Sequence, residues 1–192
     1  MKALINFEEK LILKRAMKGE KEAFAEIYDF YIIKIFRFVY LKTNSKETAE
    51  DLTSETFLKY WKYIKEKGKN DEEKEEFENS KISSFIYKIA RNLIIDYYRK
   101  KSYATVEIGE KEKETIVDQK QDILAELNRK QEIEELRKAL ARLNDDYQEI
   151  IILRHIEDLS ITEIAEITGK KKGAIRVQLY RAVKALEKIM RG

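Results

Sequence analysis

The 192-residue sequence contains no cysteine and no proline. Without cysteine there is no disulfide framework, no thiolate zinc site and no thiol chemistry. Without proline, nothing interrupts a helix in the way that ring does. Paired carboxylates, a glycine-rich phosphate loop and a cluster of metal-ligand type are missing as well. An enzyme is therefore not expected, and neither is a cofactor or a metal. The 1 histidine, His155, falls near a helix end and reads as a surface residue rather than a base. The amino end, MKALINFEEKLILKRAMKGE, lacks the apolar run of a signal peptide, and no apolar stretch reaches bilayer length. The expectation is a cytoplasmic protein without membrane insertion.

What is present is charge. Charged residues make up 39% and hydrophobic ones 43% of the chain, a globular balance with a wet surface. The length allows one or two domains, each with a modest core. The net charge of +3 is too small to imply nucleic acid by itself. Its distribution says more.

The chain reads as helix after helix, so the fold class expected is all-α. Residues 8 to 18 carry Leu11, Ile12 and Met17 beside basic residues, and Gly19 ends the pattern. Residues 21 to 42 place Phe24, Ile27, Tyr28, Tyr31, Ile32, Ile35, Phe36 and Val39 at helical spacing, a wide stripe that suits a core. Thr43 to Ser45 make a turn, and Asn44 stands three residues before Glu47, a capping-box spacing. From Lys46 to Ile64 the helix has two faces. Ala49, Leu52, Thr56, Phe57, Tyr60 and Ile64 share one side, with Trp61 at its edge as a further core residue. Glu47, Asp51, Ser54, Glu55 and Leu58 share the other. That second stripe is either acidic surface near a helix N-terminus or a dock for a basic partner helix. Glu66 to Glu78 is a polar loop with seven acidic residues against three lysines.

Ser83 to Lys101 is the central helix. Ile86, Ile89, Ala90, Leu93 and Tyr97 define its apolar face. Lys88, Arg91, Asn92, Asp96, Arg99 and Lys100 lie opposite. Five positive side chains meet one negative over this stretch, and Tyr87, Tyr97, Tyr98 and Tyr103 are interleaved with them. Cations satisfy phosphates and rings stack on unpaired bases, so the pattern suits melted nucleic acid. A core helix with a solvated basic face fits it too. Residues 102 to 122 lose all periodicity and are acidic, the composition of an extended linker.

The carboxyl-terminal part is sharper. Ile133, Leu136, Leu140 and Leu143 mark an amphipathic helix. Asn144 to Asp146 turn into another, begun by Tyr147, Ile150, Ile151 and Leu153. Ser160 to Glu163, SITE, is a capping box opening ITEIAEIT, and Gly169 is placed to end it with positive φ. A last helix from about Gly173 to Met190 turns Ile175, Leu179, Ala182, Val183, Leu186 and Met190 inward. Ala165 is small where two helices cross. From Lys170 to Gly192 there are eight positive side chains and one carboxylate, Glu187. A short capped helix, a glycine turn and a basic helix make a helix-turn-helix, whose second helix enters the major groove by its N-terminal side chains. An αα-hairpin in a plain bundle is the alternative.

AEDLTSETFLKYWKYI (49 to 64) followed by FIYKIARNLIIDYYRKK (85 to 101) resembles the second conserved region of bacterial sigma factors. LNDDYQEIIILRHIEDLSITEIAEITGKKKGAIRVQLYRAVKALEKI (143 to 189) resembles their fourth region. Two such regions joined by a short linker look like the extracytoplasmic-function group. The resemblance implies a transcription initiation factor that binds core RNA polymerase and promoter DNA. It implies a domain over 1–102 for polymerase and the minus-ten element. An acidic, flexible linker over 103–128 comes next, and then a helix-turn-helix domain over 129–192 for the minus-thirty-five element. The polymerase-binding residues would be Glu47, Asp51, Ser54, Glu55 and Leu58. Lys88, Arg91, Asn92, Arg99 and Lys100 would face minus-ten DNA. Lys171, Lys172, Ala174, Arg176, Val177, Gln178 and Arg181 would face the minus-thirty-five element. The free protein is expected to be a monomer, and an anti-sigma factor is a candidate partner.

The sequence departs from the family in places. Ser54 stands where glutamine is frequent, and Phe85 where tryptophan is. The segment that captures a flipped base corresponds to about 66 to 84, and here it is long and acidic. Ala174, Val177 and Gln178 replace residues that are more often polar or basic. Glutamine can read adenine bidentately, and alanine or valine can touch a thymine methyl, which points to A·T-containing sequence. The rival reading is a helix-turn-helix regulator that binds operator DNA without polymerase. A ligand-binding amino-terminal domain would need neither the acidic stripe nor the basic aromatic helix.

Overall fold

The computed structural model describes residues 2–68, 81–107 and 135–191, with the side chains of 2–7 and 103–107 outside that description. All regular structure among the described residues is helical. The chain divides into two compact units, the first taking in Met1–Gly109 and the second most of the chain from Glu110 to Gly192. Among the described residues no helix is long and apolar enough to cross a membrane. The acidic loop expected from Glu66 to Glu78 lies outside the described residues from position 69 onward. So do Ile133 and the linker expected at 103–128, beyond the end of the helix that enters it.

The first unit is built from α1 (Lys2–Met17), α2 (Lys21–Thr43), α3 (Lys46–Lys67) and α4 (Ile82–Glu107). Gly19, at φ 88°, makes the turn between α1 and α2 in the left-handed region that only glycine enters at no steric cost. Arg15 fastens the same corner with a 2.8 Å bond to Glu20 and a 3.1 Å bond to Glu26. These hydrogen bonds push the Arg15 guanidinium above its ordinary value. At the α2–α3 corner the sequence expectation needs a correction. Asn44 ends α2 in the left-handed region at φ 55°, and Ser45 is the residue that caps α3, its side chain accepting from Thr48 N. The short asparagine side chain tolerates the positive φ, and serine takes the cap one position later than expected.

α3 packs on both α2 and α4, and α2 reaches α4 as well. Ala49, Leu52, Phe57, Tyr60 and Ile64 of α3 are buried, as their spacing predicts. On α2 the buried line runs through Ala23, Ile27, Tyr31, Ile35, Phe38 and Val39, while Tyr28 stays 40% exposed. α4 buries Ile82, Ile86, Tyr87, Ala90, Leu93 and Ile94. Burying a side chain of this size contributes about 1.5–3 kcal/mol before chain entropy is counted. The rings knit the helices together. Phe38 meets Tyr87 edge-on at 5.4 Å, and Tyr63 stacks on Phe85 at 4.2 Å. Phe24 meets Trp61 at 4.6 Å, so Trp61 is a half-buried packing residue. The Tyr60 hydroxyl and Thr53 Oγ1 are buried without a hydrogen-bond partner among the described residues. Burial pushes the Tyr60 phenol well above its ordinary value, so it stays protonated.

The second unit holds helical residues 135–141, then α5 (Asp145–Ile151), α6 (Ile161–Thr168) and α7 (Lys172–Arg191). Asn144 caps α5 through a 2.9 Å bond to Tyr147 N, so Asp145 and Asp146 belong to the first helical turn rather than to the preceding turn. Beyond Ile151 the helix widens to a π segment, Ile152–Ile156. Its signature is Glu157 N donating to Ile152 O at 3.0 Å, five residues back. Ile150 to Leu153, Leu159, Ile164, Ile175 and Ala182 are buried in this unit. Leu179, Val183 and Leu186 are half-buried. Met190, expected to face inward, is 60% exposed.

One close approach makes a test. A Cβ added at Gly68 would meet the Met17 carbonyl oxygen, where α3 ends against the last turn of α1. That obstacle is backbone and cannot swing aside. Gly68→Ala should lower stability by about 1–3 kcal/mol, the ordinary cost of overpacking. Urea denaturation of the full chain followed by circular dichroism measures it, and an unchanged midpoint would contradict the contact.

Candidate nucleic-acid and partner interfaces

Three outward helix faces carry the residues singled out by the sequence. On α3 the residues Glu47, Asp51, Ser54, Glu55 and Leu58 are all exposed, Leu58 by 61%. The helical rotation that buries Leu52 and Tyr60 is what turns them out. Glu55 pairs with Lys59 at 3.0 Å along the helix, an exposed pair that contributes little to folding. Ser54 Oγ donates to Glu50 O at 2.9 Å, so its hydroxyl is turned back onto its own helix. Beside the stripe lies an open groove of about 480 Å³, lined by Phe24, Tyr28, Phe57, Leu58 and Trp61 together with Lys21 and Ser54. The carboxylates thus border an apolar depression, which the linear pattern did not reveal because half of its wall comes from α2.

On α4 the residues Lys88, Asn92 and Arg99 are exposed in one line, with Ile95, 45% exposed, between the last two. Arg91 is half-buried on the flank of that line. Lys100 is exposed but sits about 100° round the helix from Arg99. Arg99 Nη2 is 2.9 Å from Asp96 Oδ1. The tyrosines do not behave as one group. Tyr87 is only 1% exposed and packs on Phe38, so it is core and cannot stack on a base. Tyr97 is half-buried, and Tyr98, 41% exposed, donates from its hydroxyl to Lys42 O at 2.7 Å. Tyr103 has no described side chain. The interleaving in sequence misled because one turn of helix separates inward from outward rings. α4 also continues past Lys101 to Glu107, into the stretch expected to be linker.

In the second unit the helix-turn-helix geometry forms as its capping signals predict. Ser160 Oγ accepts from Glu163 N, and Ser160 N donates to Glu163 Oε2 at 2.9 Å, completing the capping box of α6. Gly169 ends α6 at φ 71°. A clamp not visible in sequence precedes the box. Arg154 Nη1 donates to Leu159 O at 2.9 Å, and Asp158 between them adopts φ 52°. The π segment and this clamp together set where α6 begins.

On α7, Ala174, Arg176, Val177 and Arg181 are exposed, as are Lys171 and Lys172 at its start. Gln178 is half-buried. Ala174, Val177, Gln178 and Arg181 line one open groove of about 470 Å³ with Asp146 and Tyr147 of α5. Tyr180, 67% exposed on the outer face, leaves no signal in the charge pattern and is not among the residues expected from the sequence. Lys184 is held by Glu187 at 3.0 Å, and that hydrogen bond pushes its ammonium above its ordinary value.

Residues 27–103 match the family model for sigma-70 region 2, and residues 133–186 match that for sigma-70 region 4. The chain is 33% identical over 182 residues to the ECF RNA polymerase sigma factor BldN of Streptomyces coelicolor, covering 93% of this chain and 64% of that protein. It is 30% identical over 190 residues to the ECF RNA polymerase sigma factor SigW of Bacillus subtilis, covering 93% of this chain and 95% of that one. The chain therefore spans somewhat under two thirds of BldN and nearly all of SigW. Among solved structures, CnrH in complex with the cytosolic domain of CnrY has the same fold, with a TM-score of 0.70 at 16% identity over 95% of this chain and 97% of that one. RpoE of Bartonella quintana, in complex with the anti-sigma factor NepR, also matches at 0.70, with 22% identity over 88% and 96%.

The capping box supplies a direct test. Ser160→Ala removes the side-chain acceptor for Glu163 N and the hydroxyl donor to Glu163 Oε2, which costs about 1 kcal/mol. The thermal melt of the helix-turn-helix should fall, with Ser160→Asp restoring most of the loss. Equal melting of Ser160→Ala and the parent would show that the box does not hold α6.

Proposed function

The chain belongs to the sigma-70 family, in its extracytoplasmic-function group, and from that premise we propose how its surfaces divide the work of starting transcription. It is an initiation factor that binds core RNA polymerase and directs it to specific promoters by recognising and melting promoter DNA. It has no reaction of its own to catalyse. It works in the cytoplasm, where polymerase and chromosome meet. The observation that carries this reading is the joint match to regions 2 and 4, in that order, along one chain. A regulator acting without polymerase would need only the second of them.

The division runs over three proposed segments, 1–102, 103–128 and 129–192, with α4 carrying the first on to Glu107. The α3 stripe of Glu47, Asp51, Ser54, Glu55 and Leu58 docks on a basic helix of core polymerase. The adjoining groove of Phe24, Tyr28, Phe57 and Trp61 takes apolar side chains of the same partner, as an amphipathic helix in a groove requires. Lys88, Arg91, Asn92, Arg99 and Lys100 meet the minus-ten element, with Lys88, Asn92 and Arg99 on the line that faces straight out. Lys171, Lys172, Ala174, Arg176, Val177, Gln178 and Arg181 meet the minus-thirty-five element. An anti-sigma factor is a further partner, supported by the RpoE relative whose structure was solved with one.

Two experiments test the assignment. Asp51→Lys with Glu55→Lys should leave helicity and melting nearly intact, because exposed carboxylates contribute only ~0–1 kcal/mol to folding. Across a docked interface the same reversal sets like charges together and costs several kcal/mol. Binding to core polymerase and run-off transcription should both fail. Holoenzyme assembly at parental affinity would remove the docking role from α3, and failure of the parent itself to bind core would favour the operator-binding regulator. On α4, Arg99→Ala should lower open-complex formation on a duplex promoter, and a pre-melted template should recover part of the loss. Unchanged open-complex yield at moderate salt would take Arg99 off the DNA.

A further inference from the structure

We infer that Lys170 and Asp146 set how Gln178 presents its amide to DNA, so that Gln178 reads hydrogen-bond acceptors on a base edge in preference to the donor–acceptor pair of adenine. The inference rests on the proposed placement of the outer face of α7 on promoter DNA, and it deepens that placement by naming the base chemistry. Lys170 Nζ lies 3.0 Å from Asp146 Oδ1 and 3.2 Å from Gln178 Oε1. An ammonium group only donates, so the amide atom turned toward it has to be the oxygen. The orientation of the amide is thereby fixed by its partner. Its NH2 group is left for the groove that Gln178 lines with Ala174, Val177 and Arg181.

The consequence for recognition is chemical. Bidentate reading of adenine needs the amide oxygen to accept from N6 while the nitrogen donates to N7. Here one lone pair of the oxygen already accepts from a charged donor, which weakens the oxygen as a second acceptor and polarises the NH2 group into a better donor. Guanine presents two acceptors, O6 and N7, and thymine presents O4. Both suit an NH2 group whose oxygen is engaged. Adenine would set its N6 donor on the weakened oxygen. Lys170 is thus a positioning residue, and Asp146 holds it in place. Gly169, in its left-handed turn at φ 71°, directly precedes it in the chain.

The test is a promoter library randomised over the upstream element and transcribed by holoenzyme made from core polymerase and the full chain. The parent should select guanine or thymine over adenine at one position, and Gln178→Ala should flatten that preference. Lys170→Met frees the amide oxygen and should raise adenine relative to guanine there by roughly five-fold or more. Asp146→Asn should shift the ratio the same way by less, and Lys170→Arg should keep the parental ratio. Removing a cation weakens all sequences alike, so the ratio at that position is the measure, not overall yield. Adenine selected by the parent at the Gln178-dependent position would overturn the inference. So would a ratio unmoved by Lys170→Met while Gln178→Ala flattens it, which would leave the base-reading role of α7 standing. If Gln178→Ala flattens nothing, the base-reading role of Gln178 fails and the inference falls with it.

Discussion

The first unit depends on the burial of the inner side of α4 against α2 and α3. Ile86, Tyr87, Ala90, Leu93 and Ile94 fill that contact, and the edge-on meeting of Tyr87 with Phe38 fixes the rotation of the helix. Rotation is the quantity that matters. At about 100° per residue, a helix turned by one position would bring Ile89 inward and carry Lys88 off the outer line. The core therefore aims Lys88, Asn92 and Arg99 without touching them. The same holds on α3, where Leu52, Thr56 and Tyr60 face the bundle and the carboxylates face away. One set of apolar contacts thus places both the acidic stripe of α3 and the basic line of α4.

The second unit aims its reading helix differently. Its core is small, and local hydrogen bonds carry more of the placement. Asn144 caps α5, Ser160 and Glu163 lock the start of α6, and Arg154 ties the intervening turn through Leu159 O. Each such group satisfies a backbone donor or acceptor that a helix end would otherwise leave unpaired. The left-handed Gly169 then redirects the chain toward α7. Because these groups are polar and near the surface, they leave the side of α7 that carries Val177, Tyr180 and Arg181 open.

Most departures from the sequence expectations share a cause. Tyr87 sits among basic residues in the chain and so reads as a stacking ring, yet the fold needs its bulk between helices. Asn44 matches a capping-box spacing, but the end of α2 needs a left-handed residue there, and the cap passes to Ser45. The π segment at Ile152–Ile156 has no signature in residue type, since it absorbs one extra residue to keep Leu153 and Leu159 in the core. In each case a tertiary demand outweighs a local preference that is worth about 1 kcal/mol or less.

The sequence by itself determined the helical class, the inner face of α3, the line of Ile86, Ala90 and Leu93 on α4, the capped α6 and its glycine stop, and the family. These come from spacing and end signals, which act between residues a few positions apart, and from two motifs long enough to be specific. Only the tertiary structure decided which polar groups meet. Lys170, Asp146 and Gln178 come from three separate places in the chain, and nothing in their spacing announces a shared hydrogen-bond network. The groove beside the acidic stripe likewise needs α2 laid against α3 before Tyr28 can approach Phe57, at 4.7 Å between rings. Periodicity reports one helix at a time, and a surface shared by two helices exists only once both are packed.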